Sequence, residues 1–129
     1  MTRMLASVTG PEEAEIALTA GADIIDLKDP TRGALGAVAT AVIRTTVSAV
    51  RKRRPVSAVA GDLPMRPDLV AAAVRDIAAT GVDYVKLGIF PDGDAAACIR
   101  ELPLGEAPGT SALVSCSARE RMICAVRIG

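Results

Sequence analysis

The sequence has no histidine and only three lysines among its 129 residues, and these scarcities narrow the chemistry open to it. Without histidine or a Cys-x-x-Cys pair, no zinc site is expected. Because histidine is absent, carboxylates, amines and Tyr84 are the side chains expected to act as acids and bases. The 15 basic and 15 acidic residues cancel, which argues against a nucleic-acid or membrane partner. The three cysteines lack the paired spacing of a disulfide framework, which favours a reducing compartment. The sequence also shows no signal-like or membrane-spanning stretch, and we therefore expect a cytoplasmic protein.

Half of the residues are hydrophobic but only 2% are aromatic, which suits helices packed closely on a sheet. Apolar segments alternate with amphipathic ones. Strands are predicted at 4–8, 23–27, 56–60 and 84–87, and helices at 11–20, 37–51, 67–80 and 95–102. Apolar strands separated by helices indicate parallel βα units. The predicted fold is therefore α/β, a parallel (β/α)-barrel of the TIM type.

A complete barrel of this type needs about 250 residues, roughly twice the length of this chain. We therefore expect residues 1–104 to form only the first half of a barrel. Residues 105–129 read as an irregular or divergent tail, in which 111–114 is a candidate fifth strand.

Two of the three lysines end predicted strands. Lys28 follows the apolar run 22–27, and Lys86 ends the run 81–86. The remaining basic charge is almost entirely arginine, which cannot release its proton at ordinary pH, whereas lysine can. Lysines kept at strand ends therefore indicate amine-based chemistry.

A sequence repeat relates the two strands that carry these lysines. Residues 19–26 (TAGADIID) recur as residues 79–86 (ATGVDYVK), which places Lys86 in the register of Asp26. Alternate strands of a barrel share a layer of side chains, so we expect Asp26 and Lys86 to meet at its mouth. Lys28 lies two residues beyond Asp26, on the same face of its strand. A barrel built by doubling predicts such a repeat, and a Rossmann-like sheet remains an alternative.

This trio suits covalent chemistry with carbonyl compounds. A neutral lysine amine attacks a carbonyl to form a Schiff base, and the iminium lets the neighbouring carbon lose a proton. Burial and a second nearby cation both favour the neutral amine. Lys86 is placed to supply that cation to Lys28, while Asp26 holds or relays protons. The alternative is a purely structural Asp26–Lys86 ion pair with Lys28 exposed.

The loop after Lys28 is a candidate phosphate site. Glycines in the segment 32–36 (RGALG) let backbone N–H groups approach an anion just before a helix. We expect Arg32, Gly33 and Gly36 to bind phosphate, and a mobile glycine turn is the alternative. Asp62 follows the third strand and is a candidate carboxylate at the same rim, although its residue type favours a turn or a helix cap.

Several segments together resemble a known family. The segments 21–30 (GADIIDLKDP) and 33–37 (GALGA) are similar to the signature of the (5-formylfuran-3-yl)methyl phosphate synthases, also called 4-(hydroxymethyl)-2-furancarboxaldehyde-phosphate synthases. The segments 59–64 (VAGDLP) and 81–88 (GVDYVKLG) resemble the family's next two blocks, in the same order and spacing. The resemblance covers about residues 4–103.

The resemblance implies a (β/α)-barrel lyase that condenses two molecules of glyceraldehyde 3-phosphate with loss of phosphate and water. Its product is a phosphorylated furan aldehyde used in methanofuran-type one-carbon carriers, and neither a metal nor a cofactor is implied. On the family's pattern Lys28 is the Schiff-base lysine, Lys86 the proton acceptor and Asp26 a supporting carboxylate. Phosphorylated trioses would be the substrate.

The resemblance ends abruptly near residue 104, and the family's second half supplies a further lysine, a further aspartate and the remaining strands. We expect a truncated or frame-shifted product that forms homo-oligomers or pairs with another half-barrel. Two alternatives stay open. One is a non-catalytic half-barrel that serves only as an interaction or remnant module, and the other is a different class I aldolase-like or phosphosugar-converting barrel enzyme.

Overall fold

The computed structural model describes residues 2–90, 93–102, 112–116 and 122–128. Strands and helices alternate through the first hundred residues, and a strand hairpin follows. The strands are β1 Leu5–Val8, β2 Ile24–Leu27, β3 Val56–Val59, β4 Tyr84–Ile89, β5 Ala112–Cys116 and β6 Met122–Arg127. The helices are α1 Pro11–Thr19, α2 Thr40–Val50, α3 Pro67–Ala78 and α4 Ala95–Arg100.

The strands form one six-stranded sheet in the order β1-β2-β3-β4-β6-β5. The first four strands are parallel and lie in chain order, as repeated βα units predict. Neighbouring helices pack side by side, α1 on α2, α2 on α3 and α3 on α4, and so cover one face of the sheet. The predicted α/β class and its parallel βα units are thus confirmed for this part of the chain.

Local chemistry explains where the helices begin. Pro11 and Pro67 stand in the first turns of α1 and α3, where a missing N–H costs nothing. Glu12, Glu13 and Asp68 add negative charge in those turns, where the helix dipole favours it. Helix α4 is capped by Asp94, whose side chain accepts a hydrogen bond from the Ala97 N–H at 3.0 Å.

The sequence repeat has a structural counterpart at the amino ends of β2 and β4. Asp23 accepts a hydrogen bond from the Met4 N–H at 2.7 Å, and Asp83 accepts one from the Val56 N–H at 2.8 Å. Each aspartate precedes its strand and fixes the backbone at the start of the strand alongside. The repeated Gly-x-Asp therefore sets the register between neighbouring strands.

Alternation along the strands separates the two faces of the sheet. The helix-covered face is apolar and closely packed, with Ile25, Leu27, Ala58, Val85 and Leu87 all nearly inaccessible. The other face carries Ser7, Asp26, Ser57 and Lys86, and we call it the polar face. The core thus lies between helices and sheet, and the candidate chemistry lies on the opposite side.

The structure departs from the sequence-based expectations in three places. Helix α2 begins at Thr40 and not at residue 37, because residues 29–37 fold back over the strand ends. The predicted fifth strand is present at Ala112–Cys116, but it pairs with β6, a strand that the sequence did not predict. Strand β6 then runs antiparallel to β4, where a barrel would place a parallel strand.

Within the residues that the structure describes, no helix has both the length and the apolar character that crossing a bilayer requires.

Candidate active site

Asp26 and Lys86 form an ion pair on the polar face. The Lys86 ammonium donates to the Asp26 carboxylate at 3.1 Å, although β3 lies between their strands. The Asp26 side chain is only 1% exposed and the Lys86 side chain 21%. The predicted meeting of these two residues is therefore confirmed. The contact by itself suits both a catalytic pair and a structural one, so their roles remain a prediction.

Two serines complete the surroundings of the Asp26 carboxylate. The buried Ser57 hydroxyl donates to one carboxylate oxygen at 2.6 Å. The Ser7 hydroxyl donates at 3.3 Å to the other oxygen, the one that also accepts from Lys86. Ser7 and Ser57 are the register partners of Asp26 on β1 and β3, so three adjacent strands contribute to one hydrogen-bonded row. The carboxylate is held from both sides and cannot easily turn.

Small apolar residues flank Lys86 along the sheet. Val59 on β3 and Ala125 on β6 are its register partners, and Val59 is fully buried. The ammonium therefore finds its charged partner two strands away, with an apolar neighbour on either side. Such surroundings strengthen a charge interaction relative to bulk water.

Lys28 lies at the carboxyl end of β2, half-buried, and its backbone N–H donates to the Val8 carbonyl at 3.0 Å. By alternation its side chain is on the polar face with Asp26. Among the described residues, the structure shows no hydrogen bond from its ammonium to Asp26 or to Lys86. The predicted trio thus shares one face, and a hydrogen bond joins two of its members, Asp26 and Lys86.

The segment 29–37, which we call the strap, crosses from β2 toward the ends of β3 and β4. The Asp29 N–H donates to the Gly36 carbonyl at 2.9 Å, which closes the strap at its base. The Asp29 carboxylate accepts from both the Thr31 N–H and its hydroxyl, at 3.0 and 2.6 Å. A short 3₁₀ turn, Pro30–Arg32, follows. The glycine segment is thus a hydrogen-bonded loop with a defined shape.

The residues predicted to bind phosphate form hydrogen bonds or close contacts within the protein. The Arg32 guanidinium donates to the Ala37 carbonyl at 3.2 Å, and the Gly36 N–H donates to the Gly33 carbonyl at 3.2 Å. Asp62, in the turn after β3, lies so near Gly33 that a Cβ there would be 2.5 Å from its carboxylate. The structure therefore brings Gly33 and Asp62 together, while phosphate binding by this loop remains a prediction.

Gly36 provides a test of the strap. A Cβ at this position would overlap the Asp29 carbonyl oxygen and crowd Arg32. We expect Gly36→Ala to destabilise the chain by about 3 kcal/mol, because two backbone segments must separate. Urea unfolding measures this, and Gly10→Ala is the control, since a Cβ there meets only Val42 at an ordinary 3.6 Å. Equal stability of the two variants would contradict the close packing of the strap.

Asp29 gives the strap a pH dependence. Hydrogen bonds from the Thr31 side chain and backbone, and the nearby charge of Arg32, lower the pKa of Asp29 below its ordinary value. A carboxylate whose folded pKa is lowered stabilises fully above its unfolded pKa, and this contribution is lost as the pH falls through the folded pKa.

We therefore expect the Thr31 amide resonance in an NMR titration to move with a midpoint below that of an ordinary aspartate. The resonance should stay constant in Asp29→Asn over the same acidic range. A midpoint at or above the ordinary value would show that the hydrogen bonds between Asp29 and Thr31 are not formed in solution.

No grouping of three or more histidine, cysteine, aspartate or glutamate side chains suited to a metal ion occurs among the described residues. Two free cysteines, Cys98 and Cys124, are buried. Burial raises the pKa of both thiols, with the nearby acids Asp94 and Glu101 adding to the effect at Cys98. Both cysteines are core side chains.

Sequence reasoning missed Ser57, Ser7 and Leu35. Ser57 had a detectable signal, since it is the one polar residue in the apolar run 56–59 and stands in the register of Asp26. Leu35 had none, because its buried position depends on where the strap folds back.

The fold and this face together define a class: an α/β protein of sequential parallel βα units with a lysine–carboxylate site beside the strand ends. The family model described as 4-HFC-P synthase matches residues 4–121, and the chain belongs to this family.

Relatives with curated names support the assignment. A protein of Methylorubrum extorquens, provisionally named (5-formylfuran-3-yl)methyl phosphate synthase, is 53% identical over 94 residues, which are 73% of this chain and 39% of the relative. The synthases of Methanopyrus kandleri and Methanosarcina mazei are 47% and 42% identical over 88 residues, which are 68% of this chain and 37% and 38% of those proteins. The chain spans about two fifths of the length of these relatives.

Proposed function

We propose that this chain carries the lysine site of a lyase that condenses two molecules of glyceraldehyde 3-phosphate into (5-formylfuran-3-yl)methyl phosphate, with loss of phosphate and water. The product would serve methanofuran-type one-carbon carrier biosynthesis in the cytoplasm. Family membership supports the proposal, as does the Asp26–Lys86 pair beside Lys28. We further propose that β1 to β4 are the first strands of a (β/α)-barrel.

In the proposed reaction Lys28 is the nucleophile. Its neutral amine attacks the aldehyde carbon of the triose, and loss of water from the carbinolamine gives an iminium. The iminium draws electrons from the adjacent carbon, which then loses a proton.

Lys86 would move protons during the same steps. In the ion pair with Asp26 it starts as an ammonium, so it can donate a proton to the carbinolamine hydroxyl that departs as water. The resulting neutral amine then accepts the proton from the substrate carbon. Asp26, fixed by Ser57 and Ser7, stabilises the ammonium whenever it forms.

Phosphate binding is assigned to the strap and the turn beside it. We propose that Arg32, Gly33 and Gly36 meet the phosphate of the triose and that Asp62 meets a substrate hydroxyl. Arg32 is exposed and lies in the 3₁₀ turn that follows Lys28 in the chain.

Borohydride trapping tests this function. The chain is incubated with glyceraldehyde 3-phosphate, reduced, and mapped by peptide mass spectrometry. A reduced triose adduct on Lys28 is the expected result. An adduct found only with a different triose or a keto acid would favour another aldolase-like enzyme, and a folded sample with no lysine adduct would favour a non-catalytic module.

We also propose that β1 is the edge at which a second chain pairs. Strand β1 has one neighbour in the sheet, and Met4 and Leu5 at its start are each 45% exposed. Open strand edges with apolar side chains favour association. Analytical ultracentrifugation of Leu5→Lys against the unchanged chain tests this, since a charge at the edge is expected to shift any oligomer toward monomer.

A further inference from the structure

The strap links the two lysine-bearing strands. Its base is closed by the hydrogen bond from the Asp29 N–H to the Gly36 carbonyl. Lys28 immediately precedes one partner of this bond and Leu35 immediately precedes the other. Lys28 and Leu35 are therefore both adjacent in sequence to the hydrogen bond that closes the strap.

Leu35 is seated on β4. Its side chain is 4% exposed, and its Cδ1 lies 2.6 Å from the point where a Cβ on Gly88 would stand. The Phe90 ring approaches the same point at 3.3 Å. A side chain at position 88 would therefore displace Leu35 from this contact. We call Leu35, Gly88 and Phe90 the apolar wall.

The apolar wall stands next to Lys86 on the same face. Gly88 is two residues beyond Lys86 on β4, so their α-carbons are about 7 Å apart and their side-chain directions agree. The wall therefore lies between the ion pair and the carboxyl edge of the strand. Lys86 keeps 21% of its side chain exposed, so the wall narrows the approach to it without closing it.

An apolar wall limits what fits beside the lysines. A longer sugar chain would press additional hydroxyl groups against Leu35 and Phe90, which offer no hydrogen-bonding side-chain atom. Buried hydroxyls without partners weaken binding by about tenfold or more each. A three-carbon chain avoids this contact.

We propose that Leu35 is a specificity-determining residue, which through its seat on Gly88 admits three-carbon aldose phosphates and rejects longer ones. The inference deepens the proposed function and takes its substrate class from it.

Competition between two aldehydes tests the proposal. Glyceraldehyde 3-phosphate and erythrose 4-phosphate are trapped with borohydride on the whole chain, and the adducts on Lys28 are compared. We expect Leu35→Ala to raise the ratio of four-carbon to three-carbon adduct at least tenfold. Leu69→Ala, a matched truncation on the exposed side of α3, should leave the ratio unchanged. An unchanged ratio in Leu35→Ala overturns the proposal.

Leu35→Val is a smaller truncation that keeps the test valid if Leu35→Ala does not fold. It removes one methylene and keeps the apolar contact, so a smaller shift in the same direction is expected. A ratio that stays at the unchanged chain's value in a folded Leu35→Val sample and in Leu35→Ala would equally overturn the proposal.

A second readout separates the wall from the proposed reaction. If no triose adduct forms on Lys28, the proposed function fails, and the wall is judged by amine labelling. A bulky aromatic succinimidyl ester is compared with acetic anhydride at Lys86, relative to the exposed Lys52. We expect Leu35→Ala to raise bulky labelling of Lys86 at least fivefold, with little change for the small reagent. Equal labelling of Lys86 by the bulky ester in Leu35→Ala and in the unchanged chain would mean that Leu35 does not restrict access to Lys86.

Discussion

Lys28→Arg is expected to abolish covalent capture of glyceraldehyde 3-phosphate. Arginine keeps the positive charge and much of the length of the side chain, but its guanidinium stays protonated and cannot form an imine. The triose adduct on residue 28 should therefore fall to background, a loss of at least about a thousandfold in trapping rate for an obligatory nucleophile. Mass spectrometry of the borohydride-reduced chain measures it.

Lys52→Arg is the matched control, because Lys52 is an exposed lysine in the turn between α2 and β3, at the amino end of a strand, whereas Lys28 lies at the carboxyl end of β2. It should trap triose as the unchanged chain does. Trapping or turnover that survives Lys28→Arg would remove Lys28 from the nucleophile's role. Lys86 would then be the next candidate, and Lys86→Arg would show whether it had formed the adduct.

Asp26→Ala is expected to destabilise the chain by about 3 kcal/mol. The change leaves the Lys86 ammonium, which is mostly buried, without its counter-charge, and breaking such a pair on one side is costly. The Ser57 hydroxyl, itself buried, loses its acceptor in the same change. Urea unfolding measured against the unchanged chain gives the difference.

Two comparisons make this result specific. Asp26→Asn keeps the shape and one acceptor oxygen, so about half of the loss should return. Asp68→Ala removes the carboxylate of an exposed pair with Arg66, and such pairs contribute about 0–1 kcal/mol. A loss in Asp26→Ala no larger than in Asp68→Ala would show that the buried pair is not formed in solution.

A double-mutant cycle with Lys86→Met separates the pair from its surroundings. If the cost of Asp26→Ala arises from an unpaired ammonium, it should shrink once the ammonium is gone. A cost that is unchanged in the Lys86→Met background would assign the loss to Ser57 and Ser7.

The sequence predicted most of the parallel part of the fold, because its signals there are local. Pro11, Glu12 and Gly21 mark the ends of one helix, and the apolar runs mark the strands. The Asp26–Lys86 contact was also predictable, although the two residues are far apart in sequence. The repeat fixed their registers, and strand alternation then fixed their common face.

Other parts depend on contacts that no local pattern records. Residues 37–39 look helical by composition but precede α2, because the Asp29–Gly36 hydrogen bond and the contact of Leu35 with Gly88 hold the strap over the strand ends. Strand β6 is equally hidden. Its segment has strand-forming residues, but its pairing depends on β4 having a free edge, which is a property of the assembled sheet.

The antiparallel pairing of β6 with β4 has a consequence for assembly. Six residue pairs, from Tyr84 with Arg127 to Ile89 with Met122, occupy the backbone donors and acceptors along this side of β4. A parallel strand arriving from elsewhere must compete for those same groups. Growth of the sheet on this side therefore requires an exchange step, in which the incoming strand displaces the β5–β6 hairpin. The rate of this exchange is limited by how readily the hairpin detaches from β4.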